Sequence, residues 1–249
     1  MTPLFDSHCH LQDSRFDGVR EDVIARAVAA GVRGCRTCGT SPDDWAGVAL
    51  LASRTDFEIR KAFGVHPWFA ENLREDWPEL LRGYLLRFPE AWVGEIGLDG
   101  IRPVVSPEKT HEVFRRQLAM AAEFGRPVVL HAAKMFDEVL HECRPYRGEI
   151  PLFMVHAFGG SREQLRAWLD FGAVISVGGA VTKSRRLREI VKDIPSERLC
   201  IETDSPDMMP AGGVSPVAGA SLNQLSNLRL VAEMLRVENC GSYCPFPNP

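Results

Sequence analysis

The sequence contains no apolar run near the roughly 20 residues that a membrane-crossing helix needs, which excludes a helical membrane protein. It also lacks positive charge: 29 Lys and Arg against 33 Asp and Glu leave a formal net charge of −4. No global basic field therefore gathers nucleic acid non-specifically, although a local site whose positive charge comes from metal ions is not excluded. The opening Met1-Thr2-Pro3-Leu4-Phe5-Asp6 has neither the basic nor the apolar region of a secretory leader, so a cytoplasmic protein without membrane association is expected. The 7 cysteines are odd in number and scattered, which fits reduced thiols better than a disulfide framework. Linkers, internal repeats and low-complexity tracts are missing too. What remains is a chain of 249 residues, 45% hydrophobic and 25% charged, an ordinary composition for a globular protein able to bury a full core.

Within that chain, eight short apolar runs alternate with helix-like segments. The strand-like runs are 4–8, 32–38, 59–65, 91–96, 127–130, 152–155, 173–177 and 199–203. The helices are expected at 19–30, 43–53, 77–88, 107–124, 135–143, 162–171, 185–192 and 222–235. Several carry end signals: Ser41-Pro42 and Ser106-Pro107 read as a capping side chain followed by proline in the first turn. Gly31, Gly125 and Gly172 read as stops. Strict alternation implies a parallel sheet covered by helices. Eight units in about 250 residues favour a closed (β/α)8 TIM barrel over an open doubly wound sheet. The expectation is one α/β domain over residues 1–238. The segment 239–249, with three prolines and a glycine, is expected to be an irregular tail.

Polar residues collect at the ends of these runs. His8 and His10 follow the first, and in extended chain residues two apart share a face, so both imidazoles can reach one ion while Cys9 points away. Glu95 sits in the apolar, glycine-rich stretch Val93 to Asp99, where a lone buried carboxylate is very costly unless paired or bound to metal. His131, His156 and Asp204 end three further runs. Taken singly, each has a bland alternative: a surface histidine, a hydrogen-bonded core histidine or a helix cap. Jointly they lie at the carboxyl ends of barrel strands, where barrel active sites form, and independent structural residues have no reason to choose one end. A centre of two divalent ions bridged by Glu95 is the expected outcome. Zinc, manganese, iron or nickel suits imidazole with carboxylate, and magnesium suits carboxylate with water. Two adjacent ions clamp the attacking and leaving oxygens of a hydrolysis, and a bridging water that loses its proton near neutral pH is the nucleophile. Asp204 is the candidate to orient that water or take its proton. Glu202 either orients a ligand histidine or forms a salt bridge inside the barrel.

The motifs Asp6-Ser7-His8-Cys9-His10, Gly64-Val65-His66-Pro67, Gly94-Glu95-Ile96-Gly97-Leu98-Asp99, Val155-His156-Ala157-Phe158 and Glu202-Thr203-Asp204-Ser205-Pro206 resemble those of the TatD family of metal-dependent deoxyribonucleases, one of the amidohydrolase-type barrels. The resemblance runs in order over residues 4 to about 238. It implies a TIM barrel, a two-metal phosphodiesterase centre and DNA as substrate, with the 3′→5′ exonuclease action of family members. It also implies that one ion binds His8, His10, Glu95 and Asp204, and the other Glu95, His131 and His156. His66 would lie beside the metals and contact a phosphate, making it a catalytic or substrate-binding residue together with Asp204 and Glu95.

Three departures concern substrate grip and stability. Ala132-Ala133-Lys134 replaces the family's Ser-Arg after the fifth strand, leaving Lys134 as a phosphate contact without the planar arginine fork. Leu222-Asn223-Gln224-Leu225 stands where the family has Arg-Asn-Glu-Pro. The tail replaces a further helical segment. Lys183, with Arg185 and Arg186, either meets a phosphate or starts a solvated helix. Trp68 and Phe69 either stack on a base or anchor a loop. Cys35 and Cys38, three apart on a strand, read as core packing, and Cys240 with Cys244 lacks a second ligand pair. A monomer is expected. Two other functions remain open: a small-molecule amide or aminoacyl-ester hydrolase, since this metal chemistry also suits carbonyl carbon, and a barrel that binds a partner without catalysis.

Overall fold

In the computed structural model, which describes residues 3–102 and 106–236, the eight apolar runs are eight parallel strands. They are β1 Leu4–Cys9, β2 Val32–Cys38, β3 Glu58–Phe63, β4 Trp92–Gly97, β5 Val128–His131, β6 Phe153–Val155, β7 Val174–Val177 and β8 Leu199–Ile201. Each pairs with the next in chain order, from β1 through β8. The first six intervening helices are α1 Arg20–Ala29, α2 Trp45–Leu51, α3 Trp77–Arg87, α4 Pro107–Glu123, α5 Phe136–Cys143 and α6 Arg162–Phe171. After β7 come α7 Ala180–Lys183 and α8 Arg185–Val191, and after β8 comes α9 Leu228–Leu235. This is the expected TIM barrel. None of the described helices is long and apolar enough to cross a membrane.

Strand alternation divides the apolar residues between two cores. On β5, Val128 and Leu130 join the large cluster shared with the helices, which includes Trp45, Leu81, Phe114 and Trp168. Val129, between them, joins Cys38, Ala62, Trp92, Met154 and Cys200 in the barrel interior. Cys35 and Cys38 accordingly fall in different clusters, as packing residues on opposite faces of β2.

Three helix boundaries differ from the sequence expectation, each for a local reason. Asp44, rather than Ser41, stands at the N-terminus of α2, and its carboxylate turns back to accept from the Thr40 N–H at 2.9 Å and the Thr40 hydroxyl at 2.9 Å instead of capping the helix. The helix starts only at Trp45. The segment expected as one helix over 185–192 is preceded by the extra turn α7, and Ser184 caps α8 through the Leu187 N–H. The final helix begins at Leu228 rather than at Leu222. Asn223 is committed elsewhere, donating from Nδ2 to the Thr203 carbonyl and from its backbone to Pro206. The expected tail 239–249, with Cys240 and Cys244, lies outside the described residues.

The seam between β8 and β1 is closed largely by the residues that follow β8. The Asp204 N–H donates to the His8 carbonyl at 3.0 Å and the His10 N–H to the Ser205 carbonyl at 2.8 Å. The Thr203 N–H donates to Asp6 Oδ1 at 2.9 Å, and the Thr203 hydroxyl meets the other Asp6 oxygen. Ser7 Oγ donates to the Ile201 carbonyl at 2.9 Å. Burial raises the Asp6 carboxyl to about 7 against the opposing hydrogen bonds from Thr203.

Candidate metal centre

Barrel closure carries the ends of β1, β4, β5, β6 and β8 to one rim, and with them six side chains distant in sequence. His8 Nε2 and His10 Nε2 lie 3.3 Å apart. Each is 3.3 Å from Glu95 Oε2. Asp204 Oδ1 completes the group, 3.3 Å from His8 and 3.5 Å from His10. A tetrahedral ion with bonds of about 2.0–2.1 Å holds its donors about 3.3 Å apart, so these spacings suit one. The other carboxylate oxygen, Glu95 Oε1, faces a second group: His131 Nδ1 at 2.7 Å and His156 Nε2 at 2.6 Å. Those two nitrogens are 3.1 Å apart.

Proton accounting shows what the centre needs. His10 Nδ1 lies 2.8 Å from the Cys38 carbonyl, which can only accept, so Nδ1 carries the hydrogen. His131 Nε2 donates in the same way to Asp99 Oδ2 at 2.9 Å. The inward nitrogen of each neutral ring is then a bare lone pair aimed at a carboxylate oxygen. Acceptors this close require protons or a cation between them. In the metal-free protein protons fill that role. Burial works against the charged form of His156, yet Glu95 raises it to about 10. His8 and His10 are also raised despite burial, by Glu95 and Asp204 among other groups. Glu95 itself is held well below the usual carboxylate range, the fields of His156 and His8 outweighing burial. A divalent ion on each side of Glu95 fits the same demand.

His66 is different. Its Nδ1 accepts the Trp68 N–H at 3.2 Å, which leaves the hydrogen on Nε2, 3.5 Å from Glu95 Oε1 and 3.4 Å from His131 Nδ1. Burial lowers its pKa to about 4, so the ring is neutral at pH 7 and points an N–H donor at the centre. As a donor it suits a substrate oxygen better than a metal.

Asp99, which the sequence presents within the Gly94 to Asp99 motif without a role of its own, is joined to the cluster through His131. Its Oδ2 also accepts from the Trp68 indole at 2.8 Å, and its Oδ1 from the Ile101 and Arg102 N–H groups at 2.6 and 2.9 Å. A carboxylate so held fixes both the tautomer and the orientation of His131. The signal was available in Asp99 lying two residues after Gly97, where the chain leaves β4. Glu202 lies 3.5 Å from His156 Nδ1 and accepts the Ala157 N–H at 2.5 Å, in position to orient that ring.

The centre forms the floor of a cleft of about 710 Å³ lined by His66, Lys134, Trp68, Phe69 and Met208, among others. Lys183, at the end of α7, is not among the lining residues. Of the five described non-glycine residues with positive φ, four line this cleft: Lys134, Ala157, Asp204 and Met208. Backbone strain of this kind concentrates where a site demands it. Also in the lining, Arg15 straps the β1–α1 loop to the β8–α9 loop, donating at 2.8 Å both to Asp13 Oδ2 and to Asp207 Oδ2.

The TatD-related DNase family model matches residues 5–238. The chain belongs to the TatD family. The "3′-5′ ssDNA/RNA exonuclease TatD" of Pectobacterium parmentieri is 35% identical over 210 residues, covering 83% of this chain and 81% of the relative. The protein of the same description from Edwardsiella piscicida is 33% identical over 234 residues, 92% of this chain and 89% of the relative. Among solved structures, a TatD homologue from Escherichia coli superposes with a TM-score of 0.84 at 29% identity, covering 93% of this chain and 88% of that one. A TatD-family hydrolase from Entamoeba histolytica has the same fold, with a TM-score of 0.84 at 23% identity and coverage of 94% and 90%. Family membership and the histidine–carboxylate cluster together make this a centre for divalent metal.

Proposed function

We propose that this TatD-family barrel is a two-metal phosphodiesterase that removes nucleotides from the 3′ end of single-stranded DNA or RNA, as its named relatives do. The observation that carries the proposal is the Glu95 carboxylate, with one oxygen in each of two groups of lone-pair donors. One ion would be held by His8, His10, Glu95 and Asp204, and the other by Glu95, His131 and His156. Zinc, manganese or magnesium supports this chemistry. Bound there, such ions neutralise phosphoryl oxygens and make water acidic enough to attack at neutral pH.

The chain's own residues divide the remaining work. The Asp204 side chain is 14% exposed against 2% for Glu95, so of the two it is the one that can meet an entering water and take its proton. His66 presents its Nε2–H to a non-bridging phosphate oxygen. Lys134 supplies a mobile point charge at the mouth. Residues 1–238 act as a single unit, on this reading a cytoplasmic monomer with reduced thiols.

Metal analysis of the purified protein, with cleavage of end-labelled single-stranded DNA measured with and without chelator, tests the proposal. Bound divalent metal and chelator-sensitive release of mononucleotides are expected. Tight metal without cleavage of DNA or RNA would refute the nuclease reading, and absence of metal would refute the centre itself.

A further inference from the structure

His66 reaches the centre from a stretch of chain that has left the sheet on one side. The last pair between β3 and β4 is Phe63 with Val93. Towards β2 the bonding goes on: the Gly39 N–H donates to the Ala62 carbonyl at 2.9 Å and the His66 N–H to the Thr40 carbonyl at 2.8 Å. The Gly64 carbonyl accepts from the Trp45 indole on α2 at 3.0 Å. Alternate residues of an extended chain turn their backbone groups to opposite neighbours, so the N–H and C=O of Val65 face the side that β4 no longer pairs. Val65 is buried, and both groups need a partner there.

The helix α4 supplies it. Gln117 is fully buried, and its side-chain amide meets Val65 twice: Oε1 accepts the Val65 N–H at 2.6 Å and Nε2 donates to the Val65 carbonyl at 3.1 Å. This is the double exchange that a residue of a neighbouring strand makes with its opposite number. The two backbone groups also decide which end of the amide is oxygen, since one only donates and the other only accepts. Gln117 is not among the residues that line the cleft. The Val65 side chain lies in the core shared with the helices, while the next residue, His66, lines the cleft.

We infer that Gln117 is a positioning residue for His66. By holding both backbone groups of Val65 it sets where the chain carrying His66 leaves the sheet. That in turn sets where the Nε2–H donor stands relative to Glu95 Oε1 and His131 Nδ1, 3.5 and 3.4 Å away. The Trp68 N–H fixes the tautomer of the ring, and the Gln117 amide fixes its place. The inference rests on His66 as the donor to a phosphate oxygen in the nuclease reading. It assigns a share of that task to a side chain outside the cleft.

A double-mutant cycle tests this. Gln117→Met keeps the length of the side chain and removes both hydrogen bonds. Cleavage of end-labelled single-stranded DNA by the metal-loaded protein is measured for the wild type, Gln117→Met, His66→Ala and the double variant, together with the metal content of each. Gln117→Met is expected to lower kcat about 10- to 100-fold, the scale of a misplaced reacting group, with KM changed less than about threefold and the metal content unchanged. In the His66→Ala background the same substitution should change kcat/KM by less than about threefold, because the donor that it misplaces is already gone. Should Gln117→Met not fold, Gln117→Glu takes its place in the cycle, since a carboxylate oxygen still accepts the Val65 N–H. Losses of about tenfold or more in both backgrounds, an unchanged kcat, loss of metal in Gln117→Met, or failure of both variants to fold would overturn the inference and leave Gln117 as a general prop of the barrel. Full activity in His66→Ala would instead remove the reading of His66 on which the inference stands.

Discussion

Asp204 and His8 hold each other twice, the Asp204 N–H donating to the His8 carbonyl at 3.0 Å while its carboxylate stands 3.3 Å from His8 Nε2. The same two residues therefore help to close the barrel seam and form one side of the histidine–carboxylate cluster. Coupling of this sort means that the outcome of a substitution depends on which half of the pairing it touches.

Glu95→Gln touches only the centre. It keeps the shape of a buried side chain but removes the charge that two ions would share. Loss of both metals and of all cleavage is expected, with the far-ultraviolet circular dichroism of the barrel unchanged. Metal analysis and an end-label assay check this, and a variant that kept its ions would show that Glu95 does not bridge them.

Asp99→Asn keeps the side-chain shape but replaces one accepting oxygen with an NH2 donor, which weakens the orientation of His131. Removing a partner of a ligand histidine typically lowers metal affinity about 10- to 100-fold. Competition with a chromophoric chelator should show one ion weakened and the other, held through His8 and His10, retained. Equal weakening of both would place Asp99 in a general structural role.

His66→Ala should leave metal content unchanged and lower kcat/KM by about 10²-fold, the scale of one lost donor to a reacting oxygen. Metal loss in this variant would make His66 a ligand after all.

Metal loading should depend on pH with a definite sign. In the metal-free protein His156 is raised to about 10, burial being outweighed by Glu95, and His8 and His10 are raised too. At neutral pH these rings therefore carry protons that an ion must displace. Apparent affinity should rise with pH through the neutral range and fall as the solution is acidified. Calorimetric titrations in buffers of differing ionisation heat should register release of at least about one proton per ion. No release would mean that the rings are neutral before binding.

Gly97→Ala tests how closely β4 and β5 approach at the centre. A Cβ built there would lie within 1.9 Å of the His131 carbonyl oxygen, and φ is +146°, a value that side chains disfavour. The strands must part or His131 must move. A drop in melting temperature accompanied by loss of the ion that His131 would hold is the expected result, measured by thermal unfolding with and without added metal.

The residues that proved easy to find in the sequence are those whose chemistry is tied to a strand end. His8, His10, His131, His156 and Asp204 each follow an apolar run, and a parallel barrel brings all such ends to one rim. Asp99 was not legible in the same way, because its partner His131 is 32 positions away and is reached only through a loop whose path no periodicity encodes. Helix boundaries differed where a polar side chain had a better partner than the helix: Asp44 bonds back to Thr40 rather than to the first turn of α2, and Asn223 bonds to Thr203 instead of starting α9. The seam was hidden for a related reason, since Asp6 and Thr203 are separated by 197 positions.

That separation has a consequence for the order in which the protein becomes active during its synthesis. A ribosome-bound chain that has exposed β1 holds His8 and His10, yet Asp6 meets only the nearby His8 N–H until Thr203 emerges, and Asp204 follows immediately. The histidines thus wait through most of translation without the carboxylate that completes their side of the centre. The group formed by His8, His10 and Asp204 is therefore complete only when nearly all of the barrel has been made.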